Sequence, residues 1–490
     1  MLVLSIGSEI YPLVKTGGLA DVMGALPGAL AAEGITMRSL VPGYPAVLDA
    51  VATARPAAVT ALAIDDLFGG PARVLAASPG GLPLFVLDAP HLFARPGNPY
   101  LASNGVDWPD NAQRFAALCR AGAMIARGAI GDFVPDVVHA HDWQAGLVPA
   151  YLHYDGAGAP PSVMTVHNLA YQGQFPAGLL DTLGLPAAAY AIEGVEYYGS
   201  IGFLKAGLQF ADAITTVSPH YAAEIATPDG GMGLDGLIRA RAAVMHGILN
   251  GLDTDTWNPA TDPALAARFD IDTLAARSAN KAALQARMGL DARPGTMLCG
   301  VVSRLAGQKG IDLILQTLPL LQTLDAQLAV LGSGDGAIEA GLRAGMARWP
   351  GRVAVVIGFE EPLSHLIQGG ADVILVPSRF EPCGLTQLAA QHYGAIPVVS
   401  RVGGLVDTVI DANPVAVSAG VASGVQFAPV TADGLADGLR RAAALFASPP
   451  VWRAMQINAM TLDVSWAQPA KQYATLYRGL IARHGGSVTR

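Results

Sequence analysis

Two doubly wound α/β domains are the fold that this sequence predicts, and three observations lead there. The chain has 490 residues, too many for one ordinary hydrophobic core. Short apolar runs alternate with helical patterns from one end to the other, the signature of parallel strands covered on both faces. The alternation comes in two series, separated by a stretch rich in turn residues at 250–263.

The first series places strands at 2–6, 37–41, 82–87, 136–140, 162–166 and 213–217. The second places them at 297–302, 327–331, 353–357, 373–377 and 396–400, with helices at 310–324, 336–347, 362–369 and 384–393 between them. A boundary near 250 gives domains of 1–249 and 250–469. No internal repeat, heptad array or low-complexity tract is visible.

Composition narrows the function. Hydrophobic residues make up 52% and charged residues 14%, which predicts a folded chain. No run reaches the ~18 uninterrupted apolar residues of a membrane-spanning helix. The opening MLVLSIGSEIYP lacks a basic region and meets Glu9 early, so it reads as a first strand and not a signal peptide. Cys119, Cys299 and Cys383 are odd in number and far apart, which fits a reducing, cytoplasmic compartment. The formal net charge of −9 argues against a nucleic-acid partner. An anionic ligand then needs local cations and backbone N–H groups.

In doubly wound sheets ligands bind beyond the carboxyl ends of the strands, so the loops after strands carry the candidates. After the first strand comes YPLVKTGGLADVMGALPGAL (11–30). Gly17 and Gly18 permit a tight turn, Lys15 adds a charge, and the helix that follows carries Leu19, Val22, Met23, Leu26 and Leu30 on one face, with Pro27 expected to kink it. The turn reads either as an anion cradle or as a plain strand-to-helix connection with Lys15 solvated. It is not the GxGxxG of a dinucleotide cofactor site.

PDVVHAHDWQAG (135–146) ends a strand with His139, His141 and Asp142. The two histidines share a strand face, either as metal ligands lacking an evident third or with one of them buried and satisfied in the sheet. TVHNLAYQGQF (165–175) sets His167 and Asn168 after the next strand, equally open to a sugar-hydroxyl contact or a structural pair.

In the second half, VVSRLAGQKGIDLIL (301–315) flanks a loop with Arg304 and Lys309, cations suited to a diphosphate or simply solvated. VPSRFEPCGLTQLAAQHYG (376–394) puts Glu381 at a strand mouth, with a helix expected from near Gly384. A carboxylate there can accept from vicinal sugar hydroxyls or merely favour the helix N-terminus. RVGGLVDTV (401–409) offers a second Gly-Gly turn as a candidate anion cradle.

These segments, in this order, resemble bacterial glycogen synthases and plant starch synthases. The matching strings include KTGGLADV, RPGNPY, HAHDW, TVHNLAYQG, FLKAGLQFAD, ILNGLDTDTWNPATD, VSRLAGQKG, GGADVILVPSRFEPCGLTQ, VGGLVDTV and SWAQPAKQY, spanning essentially the whole chain.

The resemblance implies a GT-B fold: two Rossmann-like domains with an inter-domain cleft, the last helix, about 470–490, rejoining the first domain. It implies transfer of glucose from ADP-glucose to the non-reducing end of an α-1,4-glucan with retention of configuration. Arg304 and Lys309 are implied to bind the diphosphate, Glu381 to hold the transferred glucose, and His167 to lie beside the reacting carbon. Lys15, with Gly17, Gly18 and Asp21 of its motif, is implied to approach the donor diphosphate and the acceptor. Asp142, Asn168 and Asn250 are implied to line the sugar pocket. Cys383, Gly384, Leu385 and Thr386 are implied to line the donor site around Glu381. No metal or other cofactor is implied.

Two departures stand out. Phe359 replaces a tyrosine that many relatives carry near the adenine, which keeps stacking and loses a hydroxyl. Ala389 stands where other retaining GT-B enzymes have a second glutamate. The competing readings are a UDP-glucose transferase of the sucrose type and a catalytically silent glucan-binding protein. A nicotinamide dehydrogenase is remote.

Overall fold

Near-continuous apolar runs, most of them buried along their whole length, build one largely parallel and one fully parallel sheet in the computed structural model, which describes residues 1–487. The chain divides into one unit of Met1–Asn250 with Trp466–Arg490, and a second of Gly251–Ser465.

The first unit contains β1 (Leu2–Ile6), β2 (Thr36–Pro42), β3 (Val59–Ile64), β4 (Ala72–Ala77), β5 (Leu84–Asp88), β6 (Val137–His141) and β7 (Ser162–Val166). A small antiparallel sheet of β8 (Gln174–Pro176), β9 (Glu196–Tyr197) and β10 (Ser200–Gly202) follows, then β11 (Ala213–Thr216) and β12 (Met245–Gly247). The large sheet runs β12-β11-β7-β6-β1-β2-β5-β4-β3. It is parallel from β12 to β5, with β4 and β3 added antiparallel at one edge. That edge hairpin was not expected from the sequence. Most of the β3 residues are partly or fully exposed, as suits the outermost strand of a sheet.

The helix Gly18–Ala31 buries Leu19, Val22, Met23, Leu26 and Leu30, the face its periodicity predicts. It does not end at Pro27. Only one N–H is lost there, and buried Leu26 and Leu30 hold the helix on the sheet. The last helix, Ala467–Ser487, packs in the first unit. Trp466, Ala470, Tyr473, Tyr477 and Leu480 recur at helical spacing and bury against Val3, Leu26, Leu30 and Val137. Residues 466–469, expected with the second domain, therefore belong to the first, because Trp466 and this helix share one core.

The second unit holds β13 (Met297–Val302), β14 (Ala326–Gly332), β15 (Val353–Ile357), β16 (Val373–Val376), β17 (Ile396–Ser400) and β18 (Val425–Phe427), all parallel, in the order β15-β14-β13-β16-β17-β18. Cys299, Val301, Leu328 and Val330 point into one buried cluster. Leu298, Ala329 and Leu331 point into another. Both faces of the sheet are thus covered, as its near-continuous apolar strands require.

The turn-rich stretch after Asn250 is fastened inside the second unit. Trp257 stacks on His365 with centroids 3.9 Å apart. Asp262 accepts from His365 Nδ1 at 2.7 Å and from the Tyr393 hydroxyl at 2.5 Å. Leu252 donates its N–H to Val464 O at 2.7 Å, which ties the first and last residues of this unit together.

Candidate functional site

In the second unit every candidate residue lies beyond the carboxyl end of a strand: Arg304 and Lys309 after β13, Phe359 after β15, Glu381 to Thr386 after β16, and Gly403 after β17. Backbone contacts stitch these loops together. Arg379 donates its N–H to Gln308 O at 2.8 Å, and Gln308 Nε2 donates to Phe380 O at 3.2 Å. Arg379 also forms a two-pronged pair with Asp312, at 2.7 Å on each arm. Gly310 makes the approach possible. Its φ is +66°, and a Cβ there would sit 1.9 Å from Pro377 O.

The result is a direct contact between the two sequence candidates of opposite charge. Lys309 Nζ donates to Glu381 Oε2 at 2.6 Å, and Ser378 Oγ donates to the same oxygen at 2.8 Å. Glu381 is buried, so its carboxylate is held rather than free to swing. Arg304 is exposed and meets only Gln308 Oε1, at 3.2 Å, with no carboxylate partner among the described residues. A small cavity of about 40 Å³ is lined by Lys309, Glu381, Gly384, Leu385 and Thr386.

The helix of this segment runs Thr386–His392, two residues later than expected, because Gly384 adopts a left-handed φ of +76° in the turn before it. The backbone N–H groups of Gly384, Leu385 and Thr386 donate to no acceptor among the described residues. The Gly-Gly turn at 403–404 is not an open anion cradle. The Gly404 N–H already donates to Glu381 O at 3.0 Å and Pro382 O at 3.1 Å, which fixes the glutamate's turn instead. Phe359 is 79% exposed at the sheet edge, available for stacking.

In the first unit, Lys15, Asp142, His167, Asn168 and Asn250 follow β1, β6, β7 and β12 on one edge of one sheet. The Thr16 N–H and, at 3.3 Å, the Gly17 N–H donate to the buried carboxylate of Glu9, which also receives the Tyr100 hydroxyl and, at 2.6 Å, the Thr16 hydroxyl. The anion at this turn is the protein's own. Lys15 pairs with Asp21 at 2.6 Å on a partly exposed face. Sequence reasoning missed Glu9 and Tyr100, since both lie outside the glycine turn they hold.

Asp142 sits at φ +56°, ψ −176°, a conformation that costs a non-glycine residue ~1–3 kcal/mol. Its Oδ1 accepts the N–H of His167 at 2.7 Å and of Asn168 at 3.4 Å. Burial nonetheless pushes its carboxyl up to about 7. Asn250 Oδ1 is buried with no hydrogen-bond partner among the described residues.

His139 and His141 are both fully buried with their rings 4.0 Å apart, as one strand face requires. Their nitrogens have partners: His139 meets Tyr477 at 2.7 Å and Thr165 at 2.5 Å, and His141 meets Ser5 at 3.1 Å and His167 at 3.0 Å. This is the structural reading of the pair, and it engages both histidines rather than one. Burial lowers His139 and His167 to about 3, and His141 well below the usual range.

A family model described as the starch synthase catalytic domain matches residues 2–240, and one described as glycosyl transferases group 1 matches residues 289–445. A glycogen synthase from Acidiphilium cryptum is 73% identical over 483 residues, covering 99% of this chain and all of that one. The chain belongs to the glycogen synthase family.

A second glycogen synthase, from Rhodopseudomonas palustris strain BisA53, is 60% identical over 479 residues, covering 98% of this chain and 97% of that one. The solved catalytic domain of starch synthase IV from Arabidopsis thaliana, bound to ADP and acarbose, is 30% identical with a TM-score of 0.86, covering 98% of this chain and 99% of that one. As a glycogen synthase family member the chain is a glucosyltransferase of GT-B fold that acts on a glucan with a nucleotide sugar. Among the described residues no helix is long and apolar enough to cross a membrane.

Proposed function

We propose that the enzyme transfers glucose from ADP-glucose to the non-reducing end of an α-1,4-glucan, with retention of configuration, in the cytoplasm, and without a metal, a membrane or a nucleic-acid partner. The observation that carries the donor side is the contact between Lys309 and Glu381 beside exposed Arg304. A cation and a carboxylate fixed against each other suit a ligand that is anionic at one end and rich in hydroxyls at the other, as a sugar nucleotide is. The ADP held by the starch synthase IV relative favours adenine as the base. Exposed Phe359 would stack on it.

As the glycosidic bond to phosphate breaks, positive charge develops on the sugar ring, beside the site assigned to Glu381, and negative charge on the other side of the bond. Negative charge gathers on the leaving diphosphate, and Arg304, Lys309 and the N–H groups of Gly384, Leu385 and Thr386 are assigned to it. Preorganised donors of this kind are each worth ~10²–10³ in rate. With those cations in place a metal is not needed. Cys383 fixes the same turn, its carbonyl accepting Gln387 Nε2 at 3.0 Å.

Glu381 is assigned to the hydroxyls of the transferred glucose. His167, Asp142, Asn168 and Asn250 are assigned to the sugar in the first unit, and Lys15, Gly17, Gly18 and Asp21 to the acceptor side. Asp142 spends one oxygen on the His167 N–H, so it also shapes the backbone next to the reacting carbon. Neither Asp142 nor Glu381 is placed as a nucleophile. A front-face path is favoured, in which a leaving phosphate oxygen takes the proton of the acceptor hydroxyl.

The test is release of nucleotide diphosphate from ADP-glucose and from UDP-glucose with maltooligosaccharide present, with products sized and the new linkage's anomeric signal read by NMR. Faster release from ADP-glucose with α-linked, lengthened product is expected. Preference for UDP-glucose, or binding without turnover, would overturn the assignment.

A further inference from the structure

We infer that Met23, Ser5 and His141 form a one-way hydrogen-bond chain that fixes the tautomer of His167, protonated on Nε2 with Nδ1 left as an acceptor. The inference rests on the reading that His167 serves the reacting sugar and names the form in which it does so.

The four side chains lie in line and are all buried. His167 Nε2 is 3.0 Å from His141 Nδ1. His141 Nε2 is 3.1 Å from Ser5 Oγ. Ser5 Oγ is 3.2 Å from Met23 Sδ. Four elements meet in this chain: β7 leads into His167, β6 carries His141, β1 carries Ser5, and Met23 sits on the helix Gly18–Ala31. Gly7 leaves room for the thioether, since a Cβ there would stand 3.0 Å from Met23 Sδ.

Polarity follows from the far end. A thioether has no proton to give and can only accept. Ser5 has one hydroxyl proton. If that proton goes to Met23, Ser5 accepts from His141 Nε2–H. His141 Nδ1 is then an acceptor, and His167 must donate from Nε2. Three hydrogen bonds form. The reversed chain forms two and leaves the sulfur without a donor. The difference is one O–H···S bond, weaker than an ordinary hydrogen bond, which favours the first arrangement by up to about fivefold.

Both imidazoles must be neutral for this logic, and their burial keeps them so. Nδ1 of His167 has no protein partner among the described residues, which leaves it to accept from a substrate hydroxyl. Met23, Ser5 and His141 touch no substrate in this account. They are positioning residues.

Long-range ¹H–¹⁵N NMR on the full chain labelled at histidine reads the tautomer directly. His167→Gln identifies the signal among the ten histidines. The wild type should show a protonated Nε2 and a bare Nδ1. Ser5→Ala and Met23→Leu should each move the signal toward a mixture, and kcat should fall by about half as the favoured form drops from about five-sixths to about one-half, while KM for ADP-glucose stays unchanged within error. Met23→Leu conserves volume and serves if Ser5→Ala does not fold. A protonated Nδ1 in the wild type, or an unmoved signal in the folded variants, overturns the inference. The two readings separate cleanly. An inactive wild type with a bare Nδ1 sinks the proposed reaction alone, and an active one with a protonated Nδ1 sinks the chain alone.

Discussion

Lys309 Nζ lies 2.6 Å from Glu381 Oε2 although 72 residues separate them in the chain. The pair exists because two loops at the carboxyl edge of one sheet are tied by the Arg379, Gln308 and Phe380 contacts and admitted to each other by Gly310. Charge, burial and loop geometry at this point bear on the proposed reaction together.

Glu381→Gln keeps the side chain's shape and can still accept from Lys309 and Ser378. It should leave the thermal midpoint within a few degrees of wild type while kcat falls by ~10² or more, because a neutral amide no longer matches the developing charge. Glu381→Ala should lose comparable activity and also some stability, since the half-buried Lys309 ammonium is left unpaired. Steady-state kinetics beside thermal unfolding separates the two effects.

Gly310→Ala tests the approach of the loops. At φ +66° with a Cβ 1.9 Å from Pro377 O, alanine must push the loops apart. A stability loss of ~3 kcal/mol or more and a sharp loss of activity are expected. A variant with wild-type midpoint and kcat would mean that close approach is not needed.

The loop candidates were legible because doubly wound sheets place ligands beyond strand ends, and strand ends are visible as apolar runs. Arg304, Lys309 and Glu381 were singled out on that rule, while the roles proposed for them come from the family resemblance. Their pairing was not legible, since it depends on Gly310 and Arg379, which the sequence marks only as a turn and a cation. Glu9 was hidden because it binds a turn from outside its motif. The long-range hydrogen bonds of His139 to Tyr477 and of His141 to Ser5 have no local signal at all.

The buried histidines predict acid lability. His139 and His167 titrate near 3 when folded, against 6.5 when free, and His141 is lowered too. Between those values the unfolded chain binds more protons, so stability is full above pH 6.5 and is lost as pH falls toward 3. Asp142 works the other way. Its carboxyl is held near 7 against 3.8, so its contribution is lost as pH rises from about 4 to 7. Asp142→Asn should therefore gain on wild type from near zero at pH 4 to as much as ~4 kcal/mol at pH 8 in urea unfolding of the first unit. A gain that is flat with pH would contradict the buried-carboxyl assignment.

Ending the chain after Ser465 removes Trp466, Tyr473 and Tyr477 from the first unit's core. Each large aromatic lost from a core costs ~3–5 kcal/mol, and the whole unit has only ~5–15 to lose. The first unit should unfold while the second keeps a cooperative transition. Two unchanged transitions in calorimetry would show that the last helix is dispensable.

The central claim is that cations of the second unit stabilise the diphosphate as it leaves. The most direct measurement is the rate of ADP release from ADP-glucose, with maltooligosaccharide present, by the folded Lys309→Ala enzyme. The account predicts a fall in kcat of ~10²–10³. Turnover close to wild type would contradict it.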